Sequence, residues 1–346
     1  MNHKKSISIL LSLILLVIIP LSGCNITKST TDGPKTSVEY EAQIKQLQEE
    51  INDLKKELAQ YVHINESEST PAVETISAEE SSAAEDESGS HEPTEEKKQV
   101  VVFGDSIWDS ARDETGIAYL LSQYMNADVY NCAIGGTRAT LKDGESPDNF
   151  ENWDSTSLSG LVNVAIGTVD PEIFLEGYVA GGIIRNIDFS KTDYFVISYG
   201  LNDYFSGAPI NADGGSSWDA HGYGGALRFA INRLNTKFPD AQILLISPTY
   251  CQFLKDGVMY TDSNMRDFGQ GSLTQYANAC RNVAETQNTL YIDAYSTMGI
   301  NNYTAEDYLD DGIHLTAKGR DLYAKAVSSC LKYGKPGQVS GNSIYY

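Results

Sequence analysis

The chain has 346 residues, with 25 Lys and Arg against 47 Asp and Glu, for a formal net charge of −22. That length accommodates one or two domains, and a hydrophobic content of 41% is enough for a sizeable core. The acidic excess excludes nucleic acid and an anionic membrane surface as electrostatic partners, because both call for a basic patch.

Lys4 and Lys5 precede the apolar run "ISILLSLILLVIIPL", which is shorter than a comfortable membrane span and reads as a targeting segment. The run ends in "LSGC", Leu21-Ser22-Gly23-Cys24. This resembles the lipobox of bacterial lipoproteins, in which small residues precede a cysteine that is lipidated and becomes the new N-terminus. The resemblance implies a signal peptide over 1–23, lipidation of Cys24, a short tether over 24–37 and an extracytoplasmic location. The other reading is an ordinary signal peptide or anchor that contains a cysteine. A single acyl chain holds a membrane only marginally, at about 0.8 kcal/mol per buried CH₂, so the several chains of a lipoprotein modification would make the anchor stable.

Residues 38–64 follow with Ile44, Leu47, Ile51, Leu54, Leu58 and Tyr61 at alternating spacings of three and four, and Glu, Lys and Gln between them. That is an a/d seam, and Ile at a with Leu at d favours a parallel dimer. The alternative is a monomeric amphipathic helix, since about three heptads are marginal in isolation. Residues 65–98 are rich in Ser, Glu and Ala with few large apolar side chains, so they read as a disordered, self-repelling acidic linker. A helix of roughly 40 Å and a coil of about 30 Å would hold the remaining chain away from the membrane.

The pattern changes at residue 99. "QVVVFGDSI", "ADVYNCAIGG", "TDYFVISYGLND", "AQILLISPTY" and "NTLYIDAY" read as buried strands. "ETGIAYLLSQYM", "YGGALRFAINRLNTKF", "SLTQYANACRNVAETQ" and "TAKGRDLYAKAVSSCLKY" read as amphipathic helices between and after them. The alternation predicts an α/β domain over 99–346 with a parallel central sheet. Ligands bind such sheets at the carboxyl ends of the strands. Ser106, the Gly135-Gly136 pair and Asn202 each follow a predicted strand end, so they should converge on one crevice. The segments 141–190 and 204–224 are long for connections and are expected to cover it.

Ser106 could be a nucleophile presented at the mouth of the sheet, or part of a tight turn in which Gly, Asp and Ser are common. A nucleophilic serine needs a base, an acid that orients the base, and donors for the developing oxyanion. Of five histidines, His3, His63 and His91 lie in the signal, stalk and linker. His314 sits in "LDDGIHLTAKG", with Asp311 three residues earlier on the same loop. His221, on a Gly-rich loop, reads as a surface residue or a pocket wall. Cys132, Cys251, Cys280 and Cys330 show neither CxxC nor metal-ligand spacing, and read as single buried thiols or disulfide partners without an evident pairing. No metal or cofactor is implied.

In order along the chain, "FGDSI", "YNCAIGGT", "YGLND" and "DGIH" resemble the blocks of the SGNH/GDSL hydrolases, across most of 99–333. No Gly-x-Ser-x-Gly elbow is present, against an ordinary α/β-hydrolase. The resemblance implies a flavodoxin-like α/β/α sandwich and a serine esterase. Ser106 would be the nucleophile, His314 the base and Asp311 its orienting acid. Ser106 N–H, Gly136 N–H and the Asn202 side-chain amide would form the oxyanion hole. Asp105, Gly200 and Asp203 would be structural neighbours of the site. Small acyl esters, acetyl above all, on carbohydrate or cell-wall glycan are the expected substrates. Lipid or aryl ester hydrolysis, acyl transfer, and non-catalytic glycan binding are the alternatives. Trp108, Trp153, Trp218 and Tyr223 offer aromatic faces for sugar, with core packing the more natural place for Trp108.

Overall fold

The computed structural model describes residues 97–146, 156–170, 177–212 and 216–338. The expected signal peptide, Cys24, the 38–64 seam, the acidic linker and Trp153 lie outside the described residues. Among the described residues no helix is long and apolar enough to cross a membrane.

The five apolar runs form five strands: β1 (Gln99–Gly104), β2 (Asp128–Asn131), β3 (Tyr194–Ser198), β4 (Gln242–Ile246) and β7 (Leu290–Ile292). Their order is β2-β1-β3-β4-β7, and each adjacent pair is parallel. This is the expected flavodoxin-like arrangement, in which the strand order reverses beside β1 and opens a crevice there. Val100 to Phe103 of β1 are fully buried, because helices cover both sheet faces.

Around the sheet stand α1 (Ser106–Asp109), α2 (Ile117–Met125), α3 (Leu158–Ala165), α4 (Val179–Ile184), α5 (Leu201–Phe205), α6 (Tyr223–Lys237), α7 (Leu273–Gln287), α8 (Ala294–Thr297), α9 (Ala305–Tyr308) and α10 (Ala317–Tyr333). Helix α2 packs on α10, while α6 packs on α3 and α7. Local chemistry sets the ends. Ser272 and Gln275 close a capping box on α7, and Asn288 ends that helix in the left-handed conformation at φ 53°. The Thr316 hydroxyl accepts the Gly319 N–H and starts α10 immediately after the His314 loop.

Three expectations change. The 141–190 connection carries its own helices, α3 and α4. An antiparallel hairpin, β5 (Gln252–Lys255) and β6 (Val258–Asp262), interrupts the stretch between β4 and α7. It turns at Asp256-Gly257, both at positive φ, as a two-residue hairpin turn requires. Tyr223 is wholly buried, its hydroxyl donating to the Tyr199 carbonyl at 2.8 Å, so it offers no face to a sugar. Trp108 is core as expected, edge-on to Tyr323. Trp218 is exposed. The four described cysteines are buried.

Candidate active site

Gly104 ends β1 against β3, where a Cβ would approach the Ser198 carbonyl oxygen to 3.3 Å and the Trp108 ring to 3.0 Å. The next residue, Asp105, caps α1: its Oδ1 accepts the Ile107 N–H at 3.0 Å. Ser106 is therefore the first residue of a short helix, with its side chain only partly buried. Its backbone N–H is one of the donors that a helix start leaves unpaired, and it bonds no acceptor among the described residues.

His314 reaches Ser106 from the other end of the chain. Its Nε2 lies 3.0 Å from Ser106 Oγ, and its Nδ1 lies 2.7 Å from Asp311 Oδ2. The other carboxylate oxygen accepts the N–H groups of Ile313 at 2.9 Å and His314 at 2.8 Å. Asp311 is thus held by its own loop and can only accept. These partners assign the Nδ1–H tautomer, which leaves the Nε2 lone pair for the Ser106 hydroxyl proton. Gly312 makes the loop possible: it sits at φ +85°, and a Cβ there would lie 2.6 Å from the Gln252 carbonyl oxygen. The Gln252 N–H donates to the Gly312 carbonyl at 2.7 Å, tying the loop to the hairpin.

Electrostatics suit a base. The hydrogen bond to Asp311 raises the His314 pKa above its ordinary 6.5, outweighing the opposing effect of burial. Burial by itself would raise the Asp311 carboxyl, but the bonds from His314 and Ile313 bring it down to about 2. Both remaining acids, Asp105 and Asp203, are buried. Burial pushes Asp105 up to about 7, with the nearby Asp203 adding to the rise. Asp203 is also raised by burial, although its carboxylate accepts the Ala139 and Thr140 N–H groups at 3.0 Å each.

The Gly135-Gly136 turn lies beside Ser106, with Gly135 so placed that a Cβ would be 3.7 Å from Ser106 Cβ. The Gly135 N–H is taken: it donates to Asp109 Oδ2 at 2.7 Å. Gly136 stands at φ +76°, and its N–H meets no acceptor among the described residues. Asn202 follows Gly200, which holds φ +134° against Tyr223 and Pro248. One N–H of the Asn202 amide donates to the Thr137 carbonyl at 2.9 Å, and its carboxamide carries a second. Of the site residues expected from the sequence, Ser106, His314 and Asp311 are joined by hydrogen bonds, the Gly135-Gly136 turn lies beside Ser106, and Asn202 bonds Thr137 next to that turn. His221 does not join the relay; Nδ1 faces Asp219 Oδ1 at 2.8 Å and Nε2 faces the Glu145 carbonyl at 3.0 Å.

Residues 102–322 match the model of the GDSL-like lipase/acylhydrolase family. The chain belongs to that family. It is an SGNH/GDSL-type ester hydrolase. A solved structure 20% identical to it, covering 69% of this chain and 98% of its own, superposes with a TM-score of 0.52 and shares the fold. A protein from Lactobacillus plantarum is 18% identical over 68% of this chain and 97% of its own, with a TM-score of 0.49. A catalytic mutant of an acetylxylan esterase from Geobacillus stearothermophilus is 16% identical over 68% and 94%, with a TM-score of 0.41. No curated protein matches the chain by sequence.

A base works only when neutral, so a raised His314 pKa places the acid limb of the kcat/KM profile above pH 6.5. Asp311→Asn removes the main cause of that rise. The limb should move to lower pH and the plateau should fall by roughly 10²–10⁴. A pH–rate profile of both proteins checks this, and an unmoved limb would disconnect Asp311 from the base.

Proposed function

We propose that this hydrolase is a lipid-anchored cell-surface serine esterase that removes small acyl groups, acetyl above all, from carbohydrate or cell-wall glycan by a Ser-His-Asp mechanism. The observation that carries the mechanism is the continuous relay Ser106–His314–Asp311, with the backbone N–H groups of Ser106 and Gly136 unpaired among the described residues and the Asn202 amide retaining a second N–H besides the one given to Thr137. His314 Nε2 takes the hydroxyl proton as Ser106 Oγ attacks the ester carbonyl. Negative charge grows on the carbonyl oxygen, where the N–H groups of Ser106, Gly136 and the Asn202 amide can receive it. The imidazolium, stabilised by Asp311, returns its proton to the leaving alcohol. Water then repeats the sequence on the acyl-serine, and the acid departs.

The surroundings support this substrate class. The relay is open to solvent: the side chains of His314 and Asp311 are 34% and 54% exposed. The long connections 141–190 and 204–224, expected to cover the sheet end, are rich in Gly, Asp, Asn and Ser rather than Leu and Phe, which suits a polar alcohol better than a long acyl chain. The lipobox-like Cys24 and the acidic linker would hold the domain out among extracellular polymers. One observation favours a second reading, an aryl or longer acyl ester. Leu254, Val258, Met259 and Tyr260 are exposed on the hairpin that bonds the His314 loop.

Hydrolysis of a p-nitrophenyl ester series and of acetylated xylo-oligosaccharides tests both readings. Acetate should be turned over fastest, Ser106→Ala should abolish the reaction, and Asn202→Ala should cost about 10²–10³ in turnover. A rate that climbs with acyl length favours the apolar hairpin, and a Ser106→Ala protein that keeps its rate ends the mechanism. The anchor is tested apart from the chemistry: Cys24→Ser should move the expressed protein from the membrane pellet to the soluble fraction, and full retention in the pellet would contradict lipidation.

A further inference from the structure

The backbone leaving β2 passes two glycines, and of their two N–H groups only that of Gly135 has an acceptor among the described residues. That acceptor lies on α1. Asp109 is three residues beyond Ser106, and its two carboxylate oxygens have separate partners. Oδ2 accepts the Gly135 N–H at 2.7 Å, and Oδ1 accepts Arg112 Nε at 2.7 Å. The other guanidinium nitrogens of Arg112 donate to the Asn131 carbonyl at 2.9 Å and the Ala133 carbonyl at 2.7 Å. Carbonyls two residues apart in extended chain point the same way, so one planar fork can hold both. The N–H groups of Cys132 and Ile134 point to the opposite side and bond Val102 and Gly104 of β1. The segment 131–135 is therefore fastened along both edges. The Asn131 side chain adds a third tie, donating to the Trp108 carbonyl at 2.9 Å in α1.

We propose that Asp109, braced by Arg112, is a positioning residue for the oxyanion hole, locking the Gly135 N–H so that the Gly136 N–H is the one presented beside Ser106. It touches no substrate. It acts by fixing the distance between the helix that carries the nucleophile and the loop that carries a donor. Charge helps, since a carboxylate accepts a backbone N–H more strongly than a neutral oxygen does, and Arg112 holds the carboxylate in place through Oδ1. The inference rests on the oxyanion role given above to Gly136.

Asp109→Ala, Asp109→Asn and Arg112→Ala are compared with the full-length wild type for kcat and KM on p-nitrophenyl acetate. The same proteins are assayed for inhibition by a small alkyl boronic acid, whose tetrahedral serine adduct places an oxygen in the hole. Asp109→Ala should lower kcat about tenfold to a hundredfold, less than the roughly 10²–10³ that follows loss of a donor itself. KM should stay within about threefold, and the boronate Ki should rise by the same factor as kcat/KM falls. Asp109→Asn keeps an acceptor for Gly135 and should fall between wild type and Asp109→Ala. The proposal is overturned if kcat and boronate Ki of Asp109→Ala stay within twofold of wild type. It is equally overturned if Asp109→Asn is as poor as Asp109→Ala and both losses are matched by melting of the domain at the assay temperature. Ser106→Ala run alongside keeps the two levels apart: turnover surviving in that protein sinks the underlying mechanism, not merely the role of Asp109.

Discussion

In the parallel pairing of β1 with β3, Gly104 stands opposite Ser198, so both strands end at the same level of the sheet. Asp105 and Ser106 leave one strand and Gly200 to Asn202 leave the other, both from the carboxyl end of the sheet, although 96 positions separate Ser106 from Asn202 in number. A slip of one residue in that pairing would turn the strand's side chains to the opposite faces and move its end away from its neighbour. The burial of Val100 to Phe103 on both faces is what resists such a slip. The glycine at 104 lets the two backbones come close enough for the turn after β1 to sit against β3.

From that register short polar ties hold the remaining parts, alongside the packing of Ile134, Ala139, Leu201 and Leu315 in the core. Asp203 holds the backbone of Ala139 and Thr140, Asp105 holds the start of α1, and Asp311 holds both its own loop and the imidazole. Carboxylates accept several N–H groups at once, which suits them to gathering turns at a sheet end. The cost shows in their protonation: burial raises Asp105 and Asp203, whereas Asp311, nearer solvent and bonded to His314, stays low. Asp311 is the one that bonds the imidazole, and that bond is the largest cause of the raised His314 pKa.

Much of this was legible in the sequence because periodicity and turn residues report local structure. The five continuous apolar runs announced a doubly covered sheet, and the short motifs set Ser106, Gly136 and Asn202 after strand ends and Asp311 and His314 on a loop before the last helix. What was not legible depended on contacts between distant segments. Tyr223 looks like an available aromatic in a Gly-rich stretch, yet it opens α6 and turns its hydroxyl into the core toward Tyr199. Asp109 and Arg112 belong to none of the four motifs, and their bonds to the 131–135 segment appear only in three dimensions. The Asp256-Gly257 hairpin is a different case: its turn signal was in the sequence and fits the local rule.

The central claim is that Ser106 is made nucleophilic by His314 and served by donors from three separate segments. The most direct measurement is labelling of the full-length protein with a fluorophosphonate, followed by peptide mapping, in wild type and His314→Ala at equal concentration. The account predicts a single adduct on the peptide carrying Ser106, formed quickly in wild type and orders of magnitude more slowly without the imidazole. An adduct elsewhere, or equal labelling rates in the two proteins, would contradict it.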